Sequence, residues 1–201
     1  MAGPIVFFDI DTQVDFMLPH GKLYVPGAEV IIPNLVKLMS FAREWNIPVI
    51  SSADAHLPDD PEFAIWPPHC VAGTPGQRRV PETLAENPTI VPCRPGAFAP
   101  PESWSGQTVL EKVTYNIADN PNFDAVLRSL GHRRAVVFGV ATEFCVRASA
   151  LALRERGQPV DLVIDSIQAI TEEGGRKALK EMAEAGVRMV TTDEVIAVAS
   201  R

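Results

Sequence analysis

The chain has 201 residues, 46% of them hydrophobic, which suits a single domain over residues 1–201 with a sizeable core. Its net charge is -7, from 18 basic and 25 acidic residues with neither sign gathered into a long run, so composition argues against a nucleic-acid or membrane-surface partner. Cys70, Cys93 and Cys145 are odd in number and widely scattered, and do not read as a disulfide framework.

The opening stretch MAGPIVFFDID has no basic leader, and Asp9 and Asp11 break its apolar run. Neither a signal peptide nor a spanning helix is expected there, and the cytoplasm is the expected location. Ile5 to Ile10 reads as a strand buried on both faces of a parallel sheet, with the acidic residues at its C-terminal end. A helix is predicted from about Pro33 to Trp45, with Leu35, Leu38, Met39, Ala42 and Trp45 on its inner face. Ile47 to Ser51 is the next strand. Eighteen prolines are present, concentrated between Pro58 and Pro101, and mark a long irregular excursion in which hydrophobic residues still recur.

Beyond it, Gln107 to Lys112 reads as a strand and Phe123 to Leu130 as a helix stopped by Gly131. Ala135 to Phe138 is an apolar strand, and a helix follows from Cys145 with Val146, Leu151 and Leu153 inward. Asp161 to Asp165 is another strand. Glu172 to Ala185 is a helix with acidic first-turn residues, Leu179, Met182 and Ala183 inward and Gly186 as its stop. Arg188 to Thr191 and a short terminal helix close the chain. Strands alternating with helices give an α/β fold, a three-layer αβα sandwich around a mostly parallel sheet, Rossmann-like in kind. In such sheets ligands bind at the carboxyl ends of the strands.

Three strand ends carry chemistry. The turn Gly139 to Thr142 is built of small residues and leads to Cys145 at a helix start, where the helix dipole favours a thiolate and backbone N–H groups can face an oxyanion. Asp11 and Lys112 each end another strand. Together they make a carboxylate, an ammonium and a thiol on one rim, a set suited to acyl transfer. Packed cysteine, turn aspartate and solvated lysine are the bland alternatives. A second constellation is Asp54-Ala55-His56 followed by His69. One carboxylate and two imidazoles suit zinc, iron or manganese, although the D-x-H spacing alone is a weak pattern. Glu62 lies between them as a further oxygen ligand or a solvated loop residue. Phe16 and Trp66 are either flat walls for a planar ring or core packing.

These motifs resemble the isochorismatase-like cysteine hydrolases, and within them the nicotinamidase/pyrazinamidase branch. The carriers are Asp11-Thr12-Gln13-Val14-Asp15-Phe16, similar to D-x-Q-x-D-F, and Gly139-Val140-Ala141-Thr142-Glu143-Phe144-Cys145-Val146, similar to G-V-A-T-D-x-C-V. Trp66 to Gly76, WPPHCVAGTPG, resembles the branch's W-P-x-H-C-x-x-G-T-x-G block. The resemblance implies Cys145 as nucleophile, Asp11 as base then acid, and Lys112 as the cation supporting the thiolate. It implies a divalent metal, zinc first with iron or manganese as alternatives, on Asp54, His56 and His69, with Glu62 or water completing the set. It also implies a cis peptide between Val140 and Ala141, an oxyanion hole from the Ala141 and Cys145 N–H groups, and a substrate site at Phe16, Trp66, Val140 and Ala141.

The activity so implied is hydrolysis of nicotinamide to nicotinate and ammonia through a thioester, serving NAD salvage; a homo-oligomer is implied as well. The segment Val113 to Ile117 departs from the Lys-Gly start and the later Tyr-Ser-x-Phe of many nicotinamidases, which leaves another small amide as an alternative substrate. A silent binding protein is a third reading, disfavoured by the presence of all three triad residues. Glu143 stands where the family more often has aspartate.

Overall fold

The computed structural model describes residues 4–199, with the side chains of 198 and 199 left aside. Seven strands form one parallel sheet in the order β3-β4-β2-β1-β5-β6-β7. They are β1 (Ile5–Ile10), β2 (Val49–Asp54), β3 (Thr89–Val91), β4 (Gln107–Lys112), β5 (Arg134–Val140), β6 (Val160–Gln168) and β7 (Arg188–Val190). The expected α/β sandwich is therefore present, and every described pairing in it is parallel.

Alternation along β1 sends Phe8 and Ile10 to one face and Phe7 to the other, so both faces need cover. On the Phe7 face lie α1 (Val14–Met17), α2 (Ile32–Glu44) and α6 (Thr192–Ala199); on the Phe8 face lie α3 (Phe123–Leu130), α4 (Arg147–Glu155) and α5 (Glu172–Glu184). Pro33 sits in the first turn of α2, where a missing N–H costs nothing, and Gly131, at φ 72°, closes α3. Thr171 caps α5 by accepting the Gly174 N–H at 3.0 Å.

Several local expectations shift. Helix α2 stops at Glu44, so Trp45 is 49% exposed and leans on Phe41, which takes the inward position. In α5 the buried residues are Gly175, Ala178 and Met182, while Ala183 faces out and Leu179 is half-buried. Leu151 of α4 is likewise half-buried against the core. Strand β2 starts at Val49 rather than Ile47 and runs on to Asp54, so Asp54 is its last residue rather than a loop residue beyond it. The α-helix after the cysteine turn begins at Arg147; Thr142–Val146 is a π-helical turn, and Cys145 lies inside it. Strand β3, within the proline-rich excursion, escaped sequence reading: it is three residues long, two of them exposed, on the sheet edge.

Candidate active site

Register brings the chemistry together. Ile10 pairs with Ser52 on one side and Gly139 on the other, and Asp54 pairs with Lys112, so four adjacent strands end at one level. The chain leaves the adjacent strands β1 and β5 in opposite directions, to β2 and to β6, and such a reversal is the place where open parallel sheets bind ligands. Gly139 has φ 118° and marks the register slip between β5 and β6; a Cβ there would overlap the Ile10 carbonyl. The Val140–Ala141 peptide is cis, as expected.

Lys112 is the hub. It is fully buried, and its Nζ lies 2.7 Å from Asp11 Oδ2 and 3.7 Å from Cys145 Sγ, donates to the Thr114 carbonyl at 2.9 Å, and also contacts Asp54 Oδ1. Burial pulls its pKa down, but Asp11 and Asp54 outweigh burial and hold the ammonium charged well above ordinary lysine. Asp11, in the left-handed region at φ 48°, also accepts the Ser52 hydroxyl at 2.6 Å. Burial raises its pKa, with Lys112 pulling the other way. Burial likewise pushes the Cys145 thiol up, against the pull of Lys112.

Asp54 divides its carboxylate. Oδ1 faces Lys112, while Oδ2 lies 3.6 Å from His56 Nε2 and 3.8 Å from His69 Nε2. These three donors lie within 4.8 Å of one another and all are buried. Neither nitrogen of the fully buried His56 makes an aligned hydrogen bond, a costly state unless a ligand takes a lone pair. His69 Nδ1 is 2.8 Å from the Pro67 carbonyl, which leaves its Nε2 free. A carboxylate and two imidazoles with open positions fit a divalent ion such as zinc. Glu62 lines the same cleft; burial and the Asp54 charge raise its pKa.

The D-x-Q-x-D-F stretch explains itself in these contacts. Gln13 clamps the Asp54 backbone through two hydrogen bonds. Asp15 accepts the Cys70 N–H at 2.7 Å, beside His69, and the Lys22 N–H at 3.0 Å. Phe16 packs at 5.3 Å from the His69 ring.

A partly open cleft lies over this group. Phe16, Trp66, Val140, Ala141 and Cys145 all line it, as do Asp54, Glu62 and His69. Leu23, Val25, Tyr115, Phe144 and Ile170 complete its wall and were missed in the sequence, apart from the suspicion attached to Val113 to Ile117. Trp66 Nε1 donates to the Tyr115 hydroxyl at 2.7 Å, and Phe144 stands edge-on to Trp66 at 5.6 Å. Below the site, Arg79 donates to the Ser52 carbonyl at 2.8 Å and contacts the buried Asp9, tying the proline-rich excursion to the strand ends.

With this geometry in hand, the class is settled: residues 6–194 match the Isochorismatase domain model, and the chain belongs to that family. Among its relatives, the nicotinamidase/pyrazinamidase of Mycobacterium tuberculosis is 29% identical over 188 residues, covering 90% of this chain and 95% of the relative. A zinc-bound pyrazinamidase of Pyrococcus horikoshii superposes with a TM-score of 0.78 at 28% identity, covering 93% of this chain and 98% of that one. An N-carbamoylsarcosine amidase of Thermoplasma acidophilum superposes at 0.75 and 26% identity, covering 94% and 97%. The resemblance to the nicotinamidase branch is thereby borne out. No helix among the described residues is long and apolar enough to cross a membrane.

Proposed function

We propose that this chain is a metal-assisted cysteine amidohydrolase that converts nicotinamide to nicotinate and ammonia. The observation carrying this reading is one ammonium, Lys112, in reach of Asp11, Cys145 and Asp54, with Asp54 shared by a buried two-histidine donor set.

In this reading Cys145 Sγ attacks the carboxamide carbon while Asp11 takes the thiol proton. The Ala141 and Cys145 N–H groups receive the charge that develops on the carbonyl oxygen. Asp11 then gives its proton to the departing nitrogen, ammonia leaves and a thioester remains. Water, deprotonated by Asp11, cleaves the thioester to release carboxylate and restore the thiol. Lys112 stays charged throughout and offsets the negative charge on Asp11 and the sulfur. Asp54, His56 and His69, with Glu62 or water, would hold a divalent ion, zinc in the first place, which supplies a Lewis-acid anchor for a heteroatom of the substrate. Phe16 and Trp66 would flank the ring, with the carboxamide aimed at Val140 and Ala141.

The cleft wall supports a neutral aromatic amide over other family substrates. No lysine or arginine is among the described residues lining it, and its wall is chiefly apolar and aromatic. A substrate bearing its own carboxylate, as N-carbamoylsarcosine does, would lose hydration there and find no lysine or arginine side chain in the wall to replace it. The test is ammonia release from nicotinamide by purified protein with and without chelator, with Cys145→Ala as blank. Release that depends on both metal and cysteine is expected; cysteine-dependent turnover of carboxylate-bearing amides with nicotinamide among the poorest would overturn the substrate.

A further inference from the structure

Two groups of possible metal ligands overlap at one side chain. Asp54, His56 and His69 form the first, and His56, Asp60 and Glu62 form the second. The imidazole of His56 is fully buried between two carboxylates: Nε2 lies 3.6 Å from Asp54 Oδ2, and Nδ1 lies 3.1 Å from Asp60 Oδ2.

A neutral imidazole has one lone pair and one N–H. It serves one ion, and its other nitrogen then needs an acceptor. For His69 that acceptor is the neutral Pro67 carbonyl. We infer that for His56 it is Asp60, which makes Asp60 a positioning residue of the metal site rather than a ligand to a second ion. Its carboxylate lies 3.1 Å from Nδ1, although the contact is not an aligned hydrogen bond, and would take the Nδ1–H when Nε2 holds the ion, selecting the tautomer whose Nε2 lone pair faces Asp54 and making that nitrogen a stronger donor. Asp60 is itself anchored: its Oδ1 accepts the Glu62 N–H at 2.9 Å, capping the turn Pro61–Ala64 that carries Glu62 to the cleft. One carboxylate thus orients His56 with one oxygen and sets the neighbouring turn with the other.

This inference rests on the metal reading above, and the experiment separates the two. Zinc affinity and stoichiometry are measured on the full chain by competition with a chromophoric chelator, for the unmodified protein, Asp60→Ala, Asp60→Asn, Asp59→Ala and His69→Ala. One equivalent of zinc is expected in the unmodified protein, with a large loss in His69→Ala. Asp60→Ala should bind roughly 10–100-fold more weakly. Asp60→Asn, whose single amide oxygen can cap the turn or accept from Nδ1 but not both, should also bind zinc more weakly than the unmodified protein. Asp59→Ala should match the unmodified protein. Unchanged affinity in both Asp60 variants overturns the inference while leaving the metal site standing. Two equivalents, one of them lost in Asp60→Ala, overturn it in favour of a second ion. No zinc binding by the unmodified protein removes the metal reading, and this inference with it.

Discussion

Gln13 holds the backbone of Asp54 from both sides: its Oε1 accepts the Asp54 N–H at 2.8 Å and its Nε2 donates to the Asp54 carbonyl at 2.9 Å. The same Nε2 donates to the Gln77 carbonyl at 2.7 Å. One amide therefore joins the end of β1, the end of β2 and the proline-rich excursion at the carboxylate proposed to hold the metal.

Gln13→Ala should uncouple these three. Each buried backbone group left without a partner costs about 1–3 kcal/mol. The variant is expected to unfold at lower urea concentration and to bind zinc more weakly than the unmodified protein. A variant of unchanged midpoint and unchanged zinc affinity would show that the clamp is idle.

Lys112→Met keeps the length of the side chain and removes its charge, leaving Asp11 and Asp54 buried without their cation. Breaking a buried ion pair on one side costs about 3–5 kcal/mol. Steady-state amidase assays should show kcat/KM lower by about 100-fold or more, because positioned acid–base chemistry contributes on that scale. Lys112→Met retaining more than a tenth of the activity would remove Lys112 from the machinery.

The acid limb of the pH profile should report Asp11. Burial raises its pKa above the ordinary 3.8, against the pull of Lys112. As the base it must be ionised, so kcat/KM at saturating zinc should fall as pH drops through a midpoint above 3.8. An acid limb at or below that value would contradict the assignment.

Arg79→Met should destabilise the protein more at pH 7 than at pH 5. Asp9 is fully buried; burial raises its pKa, and Arg79 opposes that rise. A carboxyl with a folded pKa above its unfolded one costs stability that grows as pH rises from the unfolded value towards the folded one. Removing Arg79 raises the folded value further and widens that window. The loss at pH 7 is expected at about 3–5 kcal/mol by denaturant unfolding. A deficit independent of pH would mean that Asp9 does not carry it.

Strand β4 and helix α3 were readable to the residue, because an apolar run and a helical stripe are local patterns that burial on both sides of a sheet enforces. The strand-end residues Asp11, Lys112 and Cys145 were legible for the same reason: in a parallel sheet every strand delivers its last side chain to the same rim. Asp54, His56 and His69 were legible as donor types, but their meeting depends on Gln13 and Asp15, which hold the backbone at Asp54 and Cys70.

Other features had no local signal. Trp45 looked inward by periodicity, yet the helix ended one residue earlier and Phe41 filled the place. The pairing of Trp66 with Tyr115 spans 49 residues, that of Arg79 with Asp9 spans 70, and the Ser52 bond to Asp11 spans 41. The sequence by itself determined the alternation of the longer strands and helices and the kinds of chemistry at the strand ends, because these follow from side-chain period and type; the short β3 and α1 lay below that signal. Only the tertiary structure decided which charges share Lys112, which oxygen of Asp54 is left for a metal and what closes the cleft. Those depend on register and on loops folding back across the sheet, contacts between residues far apart in the chain.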